Sequence, residues 1–278
     1  MISTPATHSS QTTGVADAFD ALAPDYDEVW TESTVGRLQR RHVWRHLRSI
    51  FREGERILEL GCGTGVDAAF LARIGVRVHA IDVSPRMVRA AQQRIDEEGL
   101  GSRVTFEVRA LEHVGDSPRI GVFDGALSDF GAINCLTDLR LAARNLAAIL
   151  RPGGKLVLCF MGRFCLCEMA YHLLHARPGR AFRRLRAAGT GIGTVLASSP
   201  VFLVRYPSIA QLAKAFGADF DLMTFRSIGV LVPPSYLESW ARTRQRTLLA
   251  LASLDERVGG WPFVRGTGDH RLVVFVRK

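Results

Sequence analysis

The stretch ILELGCGTGVDAAFLARIGVRVHAIDVS, residues 57–84, restricts the folds open to this chain more than any other. An apolar run leads into Gly61, Gly63 and Gly65, three glycines at alternate positions, and a second apolar run ends at Asp82. A strand that empties into a glycine turn and a helix, then a strand ending in an acid, opens a βαβ unit. Alternate glycines permit positive φ and let a ligand approach the backbone closely. An acid at the tip of the second strand can accept hydrogen bonds from both hydroxyls of a ribose. The expected ligand is nucleoside-like.

Spacing narrows the choice. A dinucleotide fingerprint reads G-x-G-x-x-G, its third glycine placed for helix–strand packing beside a pyrophosphate. Here the third glycine comes one residue early. A phosphate-cradling Walker loop needs Gly-Lys-Ser/Thr, which is absent.

The rhythm continues on both sides. Leu38, Val43, Leu47 and Ile50 mark one face of an upstream helix. After the glycine turn comes the helix VDAAFLARIG, closed by Gly75, then the strand VRVHAIDVS. The next helix is capped by Ser84, with Pro85 in its first turn. RVTFEVRA and FDGALSDF read as strands three and four. Leu139, Ala142, Leu146 and Ile149 define a helix with Thr137 as its expected cap, and KLVLCF is strand five. This alternation over residues 56–160 predicts an α/β fold with a mostly parallel sheet and helices on both faces.

Beyond Met161 the pattern changes. RFCLCEMAYHLLHA is an apolar helix, and two short strands flank Ser199-Pro200. A helix SIAQLAKAF, a strand DFDLMTFRSIGV, a helix SYLESWARTRQRTLLALASL and a strand RLVVFV follow. The expected division is a disordered tail over 1–15, a core over 16–161, an insertion over 162–206 and a C-terminal part of the core sheet over 207–278. The first residues carry neither a basic start nor an apolar core, so no secretory leader is expected.

Five cysteines without C-x-x-C spacing suggest neither a disulfide framework nor a metal site, and favour a cytoplasmic setting. The formal net charge of +9 is concentrated in GRLQRRHVWRHLRSIFR and ARPGRAFRRLRA. Such clusters suit nucleic acid, anionic lipid or an acidic substrate, or form a solvated face.

Taken together, LELGCGTG, Asp82 and the elements around them resemble class I S-adenosylmethionine-dependent methyltransferases of the small-molecule type. The likeness covers residues 16–160. It implies a Rossmann-like methyltransferase fold with a seven-stranded sheet, an insertion after strand five and S-adenosyl-L-methionine as cofactor. FDALAPDYD resembles the family's N-terminal element, whose tyrosine, here Tyr26, closes over the cofactor. The resemblance places Glu59 near the methionine ammonium, Gly61, Cys62, Gly63 and Gly65 along that moiety, and Asp82 on the ribose. Val83 and Met87 would flank the adenine, with Ala110 and Leu111 at its edge. Ser128, Asp129, Phe130 and Asn134 would surround the methyl. Where many relatives carry an acid before the Ala110 position this chain has Arg109, so Glu112 or the backbone must receive the adenine amino group.

Methyl transfer from a sulfonium is an in-line displacement, in which alignment and exclusion of water dominate. Asp129 is one candidate catalytic group. Glu168, His172 and His175 form a stripe on the apolar helix of the insertion. Facing a pocket, that stripe would make His172 a general base; facing water, it is the outer side of an amphipathic helix. The apolar insertion suggests a small hydrophobic acceptor, methylated on oxygen. RPGRAFRR adds an anionic acceptor group or a membrane surface as a second hypothesis. Two competitors remain: an RNA methyltransferase, prompted by the basic composition but lacking an N-P-P-Y type fourth-strand end, and a cofactor-binding protein without catalysis. Neither the acceptor atom nor the oligomeric state follows from the sequence.

Overall fold

A computed structural model describes residues 6–116, 121–186, 191–192 and 202–278. Five strands come first: β1 (Arg56–Leu60), β2 (Arg77–Asp82), β3 (Val104–Val108), β4 (Phe123–Ser128) and β5 (Leu150–Met161). Short β6 (Gly191–Ile192) and β7 (Phe202–Leu203) pair only with each other, and β8 (Phe220–Ile228) and β9 (His270–Arg277) complete the main sheet. Its order is β3-β2-β1-β4-β5-β9-β8. The first five strands are parallel, and β9 runs antiparallel between β5 and β8.

Because β1 pairs with both β2 and β4, the topology reverses beside it and a crevice opens at those strand tips. Neighbouring residues on a strand face opposite ways. Ile57 therefore joins Val43, Leu47, Phe70 and Val157 in one core, while Leu58 joins Ile81, Phe123, Phe160 and Phe275 in the other. Helices α1 (Ala6–Leu22), α2 (Thr34–Ile50), α3 (Val66–Arg73), α4 (Pro85–Glu97) and α5 (Leu139–Ile149) surround the parallel strands. The segment after β5 forms α6 (Leu166–Leu174), α7 (Pro178–Ala181) and α8 (Arg183–Arg186); α9 (Ile209–Phe216), α10 (Glu238–Thr243) and α11 (Gln245–Val258) follow. No helix among the described residues is long and apolar enough to cross a membrane.

Three local features differ from the sequence reading. Helix α1 starts at Ala6, inside the segment expected to be a tail. Its buried stripe Val15, Ala18 and Leu22 packs inward, and Asp20 Oδ1 accepts from Ser84 Oγ at 2.5 Å and Arg86 N at 2.9 Å. Asp138, not Thr137, caps α5, its Oδ1 accepting from the Arg140 and Leu141 amides. The long C-terminal helix breaks at Arg244, because its halves serve different anchors. Glu238 accepts the Thr34 and Val35 amides of α2, whereas Asp255 accepts those of Gly229, Val230 and Leu231 after β8. The strands expected around Ser199-Pro200 fall mostly outside the described residues; those described are β6 and β7.

Candidate active site

A cavity of about 160 Å³ occupies the crevice at the tips of β1, β2 and β4, beneath α1. Of the residues singled out from sequence, Gly61, Gly63, Asp82, Val83, Ala110, Leu111, Asp129, Phe130 and Tyr26 line it. Gly63 has φ +51, and a Cβ there would point at the Tyr26 ring 3.8 Å away. Asp82 Oδ2 accepts from Gly63 N and Oδ1 from Ser84 N, both at 2.9 Å. Each oxygen keeps a lone pair for a ligand hydroxyl. Burial raises the Asp82 pKa, against the lowering effect of those amides.

The N-terminal element is bolted over this turn. Asp27, directly after Tyr26, accepts from Thr64 Oγ1 at 2.6 Å and Arg94 Nη2 at 2.5 Å. Burial pushes the Tyr26 hydroxyl up to about 12, so it stays protonated.

Behind the turn lies a nest of buried acids. Asp67 is ion-paired with Arg40 and accepts from Trp44 Nε1 at 2.6 Å. Glu59 Oε2 and Asp129 Oδ2 are buried without a hydrogen-bond partner. Burial, then the charges of Asp67 and Asp129, hold the Glu59 carboxyl well above its ordinary range; burial and Asp67 do the same to Asp129. Burial alone would weaken the Arg40 charge, but Asp67 and Asp129 outweigh it and raise its pKa. One guanidinium serves three carboxyls, so the nest is set for a further cation. Orphaned acid oxygens beside a glycine turn, with a ribose-type acceptor on the next strand, fit an adenosyl group that carries an ammonium.

Seven expected site residues lie off the wall of the main cavity: Glu59 in the acid nest, Asn134, fully buried and donating to the Met161 and Arg205 carbonyls, and the five that follow. Cys62 borders a small adjoining cleft rather than the main cavity. Gly65, at φ +77, would place a Cβ 2.8 Å from the Ala91 Cβ, so its role is to admit α4 against the turn. Met87 is fully buried, its amide bonded to Ser84 Oγ. Ser128 is fully buried under the β4 tip. His172 borders neither cavity described in this subsection. Its stripe is split: His175 is exposed while Glu168 and His172 are buried, and the Glu168 carboxylate accepts from Arg183 Nε at 2.6 Å and Arg184 Nε at 2.9 Å. Glu168 is therefore committed to arginines and not to orienting His172. Glu112 does line the cavity, while Arg109 is drawn to Glu107 at 2.5 Å.

A larger cavity of about 390 Å³ adjoins the first. Phe19, Tyr26, Phe130, Met161 and Val204 belong to both walls. The remainder is largely apolar, with Leu22, Trp30, Tyr206 and Pro234, relieved by Arg40, Arg183, Arg184, Asp269 and His270. Arg183 and Arg184 belong to RPGRAFRR, the cluster read from sequence as binding an anionic acceptor group or a membrane surface, whereas Arg40, Asp269 and His270 were not singled out for this role. Arg40 and Arg184 were visible only as members of basic clusters, and both are buried in ion pairs. Phe130 holds an unusual backbone angle for a side-chain-bearing residue, φ +47. That angle sets its ring under the Arg40 guanidinium, 4.8 Å from Cζ, at the boundary of the cavities.

Residues 57–154 match the methyltransferase domain family. Over that segment the chain carries the pattern of a methyltransferase domain. It is 33% identical over 151 residues to a demethylmenaquinone methyltransferase of Mycobacterium marinum, covering 52% of this chain and 58% of that protein. It is 33% identical over 185 residues to a ubiquinone biosynthesis O-methyltransferase of Methylocella silvestris, covering 66% and 63%. The chain thus spans less than two thirds of the curated relatives it matches. Among solved structures, the CcbJ methyltransferase of Streptomyces caelestis superposes with a TM-score of 0.61 at 16% identity, covering 96% of this chain and 98% of that one. This methyltransferase fold is thus shared along nearly the whole chain.

Proposed function

We propose that this methyltransferase binds S-adenosyl-L-methionine in the smaller cavity and methylates a small hydrophobic acceptor, on oxygen, in the larger one. One observation carries the reading. A cavity with the donor set for an aminoacyl nucleoside meets a larger apolar cavity across Tyr26, Phe130 and Met161.

When bound, the cofactor supplies an electrophilic methyl on a positively charged sulfur. The protein's contribution is placement. Asp82 would hold the ribose hydroxyls, Val83, Ala110 and Leu111 the adenine, and Glu59 with Asp129 the ammonium. Tyr26 and Phe19 close the roof, keeping water from the meeting point of the cavities. Alignment of this kind supplies about 7–11 kcal/mol of barrier reduction. The segment between β5 and α9 covers the acceptor through Arg183, Arg184, Val204 and Tyr206. The apolar walls, and the quinone-pathway names of the relatives, both favour an acceptor of low polarity. RNA is the weaker reading, because Arg40 and Arg184 are spent on internal ion pairs.

The test is calorimetry with S-adenosylhomocysteine, followed by its detection as product with a prenylated catechol and with bulk RNA. Binding, with product formed only from the catechol, supports the proposal. Binding with no turnover on any hydroxylated aromatic favours a cofactor-binding protein without catalysis.

A further inference from the structure

Four side chains from distant segments meet on one wall of the larger cavity: Gln39 of α2, Arg184 of α8, and Asp269 and His270 where β9 begins. Asp269 is gripped from two sides. Its Oδ1 accepts from Arg184 Nη2 at 2.6 Å and its Oδ2 from Gln39 Nε2 at 3.3 Å. Burial alone would raise the Asp269 pKa, but His270 and Arg184 outweigh it and keep the carboxylate ionised. His270 Nδ1 is buried, makes no hydrogen bond of good geometry, and lies 3.3 Å from Asp269 Oδ2 in ion-pair contact. The ring stands edge-on to Phe130, centroids 5.1 Å apart and planes at 81°. Phe130 in turn borders the cofactor cavity.

A fixed carboxylate beside Nδ1 selects the tautomer that carries its proton there, which leaves the Nε2 lone pair for a ligand. We infer that His270 is the general base for a phenolic hydroxyl of the acceptor, with Asp269 and Arg184 as positioning residues. This rests on the methyl-transfer reading above and names the acceptor class. Aromatic walls, Phe19, Trp30, Phe130 and Tyr206, suit a flat ring, and a phenol is acidic enough for an imidazole to deprotonate. The O–H bond breaks and its proton goes to Nε2. The oxygen pair forms the new O–C bond while the C–S pair stays on sulfur, so the positive charge moves from sulfur to imidazolium. Arg40, Arg183 and Arg184 on the same wall favour the phenolate, and Asp269 with the Tyr26 and Tyr206 hydroxyls completes the set of titratable groups there.

The probe is 4-nitrophenol, whose ionisation is visible in its absorbance. It is titrated with pH on the full chain, with and without S-adenosylhomocysteine, for wild type and His270→Gln. The expected result is a bound probe whose ionisation constant is about tenfold greater on wild type than on His270→Gln. S-adenosylhomocysteine affinity and melting temperature should be unchanged by the substitution. Equal ionisation on the two proteins, or failure of the probe to bind wild type, overturns the inference. Should His270→Gln fail to fold, the histidine carbon shifts of wild type decide: a ring moving toward its protonated position on adding probe supports the base, and an unmoved ring refutes it. Loss of S-adenosylhomocysteine binding by wild type would instead defeat the methyl-transfer reading.

Discussion

Gly63 donates its amide to Asp82 Oδ2 across 2.9 Å, tying the β1 turn to the β2 tip. The same carboxylate caps the start of α4 through Ser84 N. It is thus a structural acceptor and, in the proposed reading, the ribose acceptor as well. Asp82→Ala leaves two amides without partners, at a cost of about 1–3 kcal/mol. It also removes the ribose contact, so S-adenosylhomocysteine affinity should fall about 100-fold. Calorimetry and chemical denaturation on one sample separate the losses. Unchanged affinity would move the ribose elsewhere.

The glycines of the turn separate by role. Gly65→Ala drives a Cβ into Ala91 at a φ of +77, so it should destabilise by about 1–3 kcal/mol. Gly63→Ala makes only ordinary contact with Tyr26, so beyond about 1 kcal/mol of backbone strain at φ +51 its main effect should be on the cofactor. Melting curves with and without S-adenosylhomocysteine test this: the Gly65 variant melts lower in both, whereas the Gly63 variant loses chiefly the ligand-induced rise.

How much of this was legible depends on the range of the interaction. The β1 turn, Asp82 and the strand–helix alternation are local, carried by glycine spacing and apolar runs. The Val15, Ala18 and Leu22 stripe of α1 was hidden, because nine polar or small residues dilute its first half and its meaning depends on Ser84 and Arg86 far along the chain. Arg40 reads as one arginine among six; only Asp67, 27 residues away, makes it part of the site. Asp269 and His270 reach the acceptor wall because β9 inserts antiparallel beside β5, pairing His270 with Met161. No spacing signal encodes that pairing. The Glu168 and His172 stripe was correctly periodic, but periodicity cannot say that arginines of α8 would occupy the carboxylate.

Arg40 should be a costly charge to remove. Arg40→Met leaves Asp67 buried with only Trp44 beside it, a loss of about 3–5 kcal/mol. Adding Asp67→Asn should restore much of it, since the unpaired charge is then gone. A double-mutant cycle by urea denaturation checks this, and additive losses would mean the two side chains act independently.

In the proposed reading, Glu59 and Asp129 make cofactor binding a proton-releasing event. Both carboxyls are held well above their ordinary range, chiefly by burial and then by Asp67. A carboxyl with a raised folded pKa holds its proton longer in the native state than in the unfolded chain. Its contribution to stability is fully present below about pH 4 and is lost as pH rises through the raised folded value. The ligand-free protein should therefore lose part of its stability as pH climbs above that point, and Asp129→Asn should flatten the decline. An ammonium placed in the nest favours the ionised forms, so its arrival expels protons. Calorimetry with S-adenosylhomocysteine at about pH 6, in two buffers of different ionisation enthalpy, should show release on the order of one proton. Asp129→Asn should reduce that number. Identical heats in both buffers would mean that the acids are already ionised before the cofactor binds, or that its ammonium lies elsewhere.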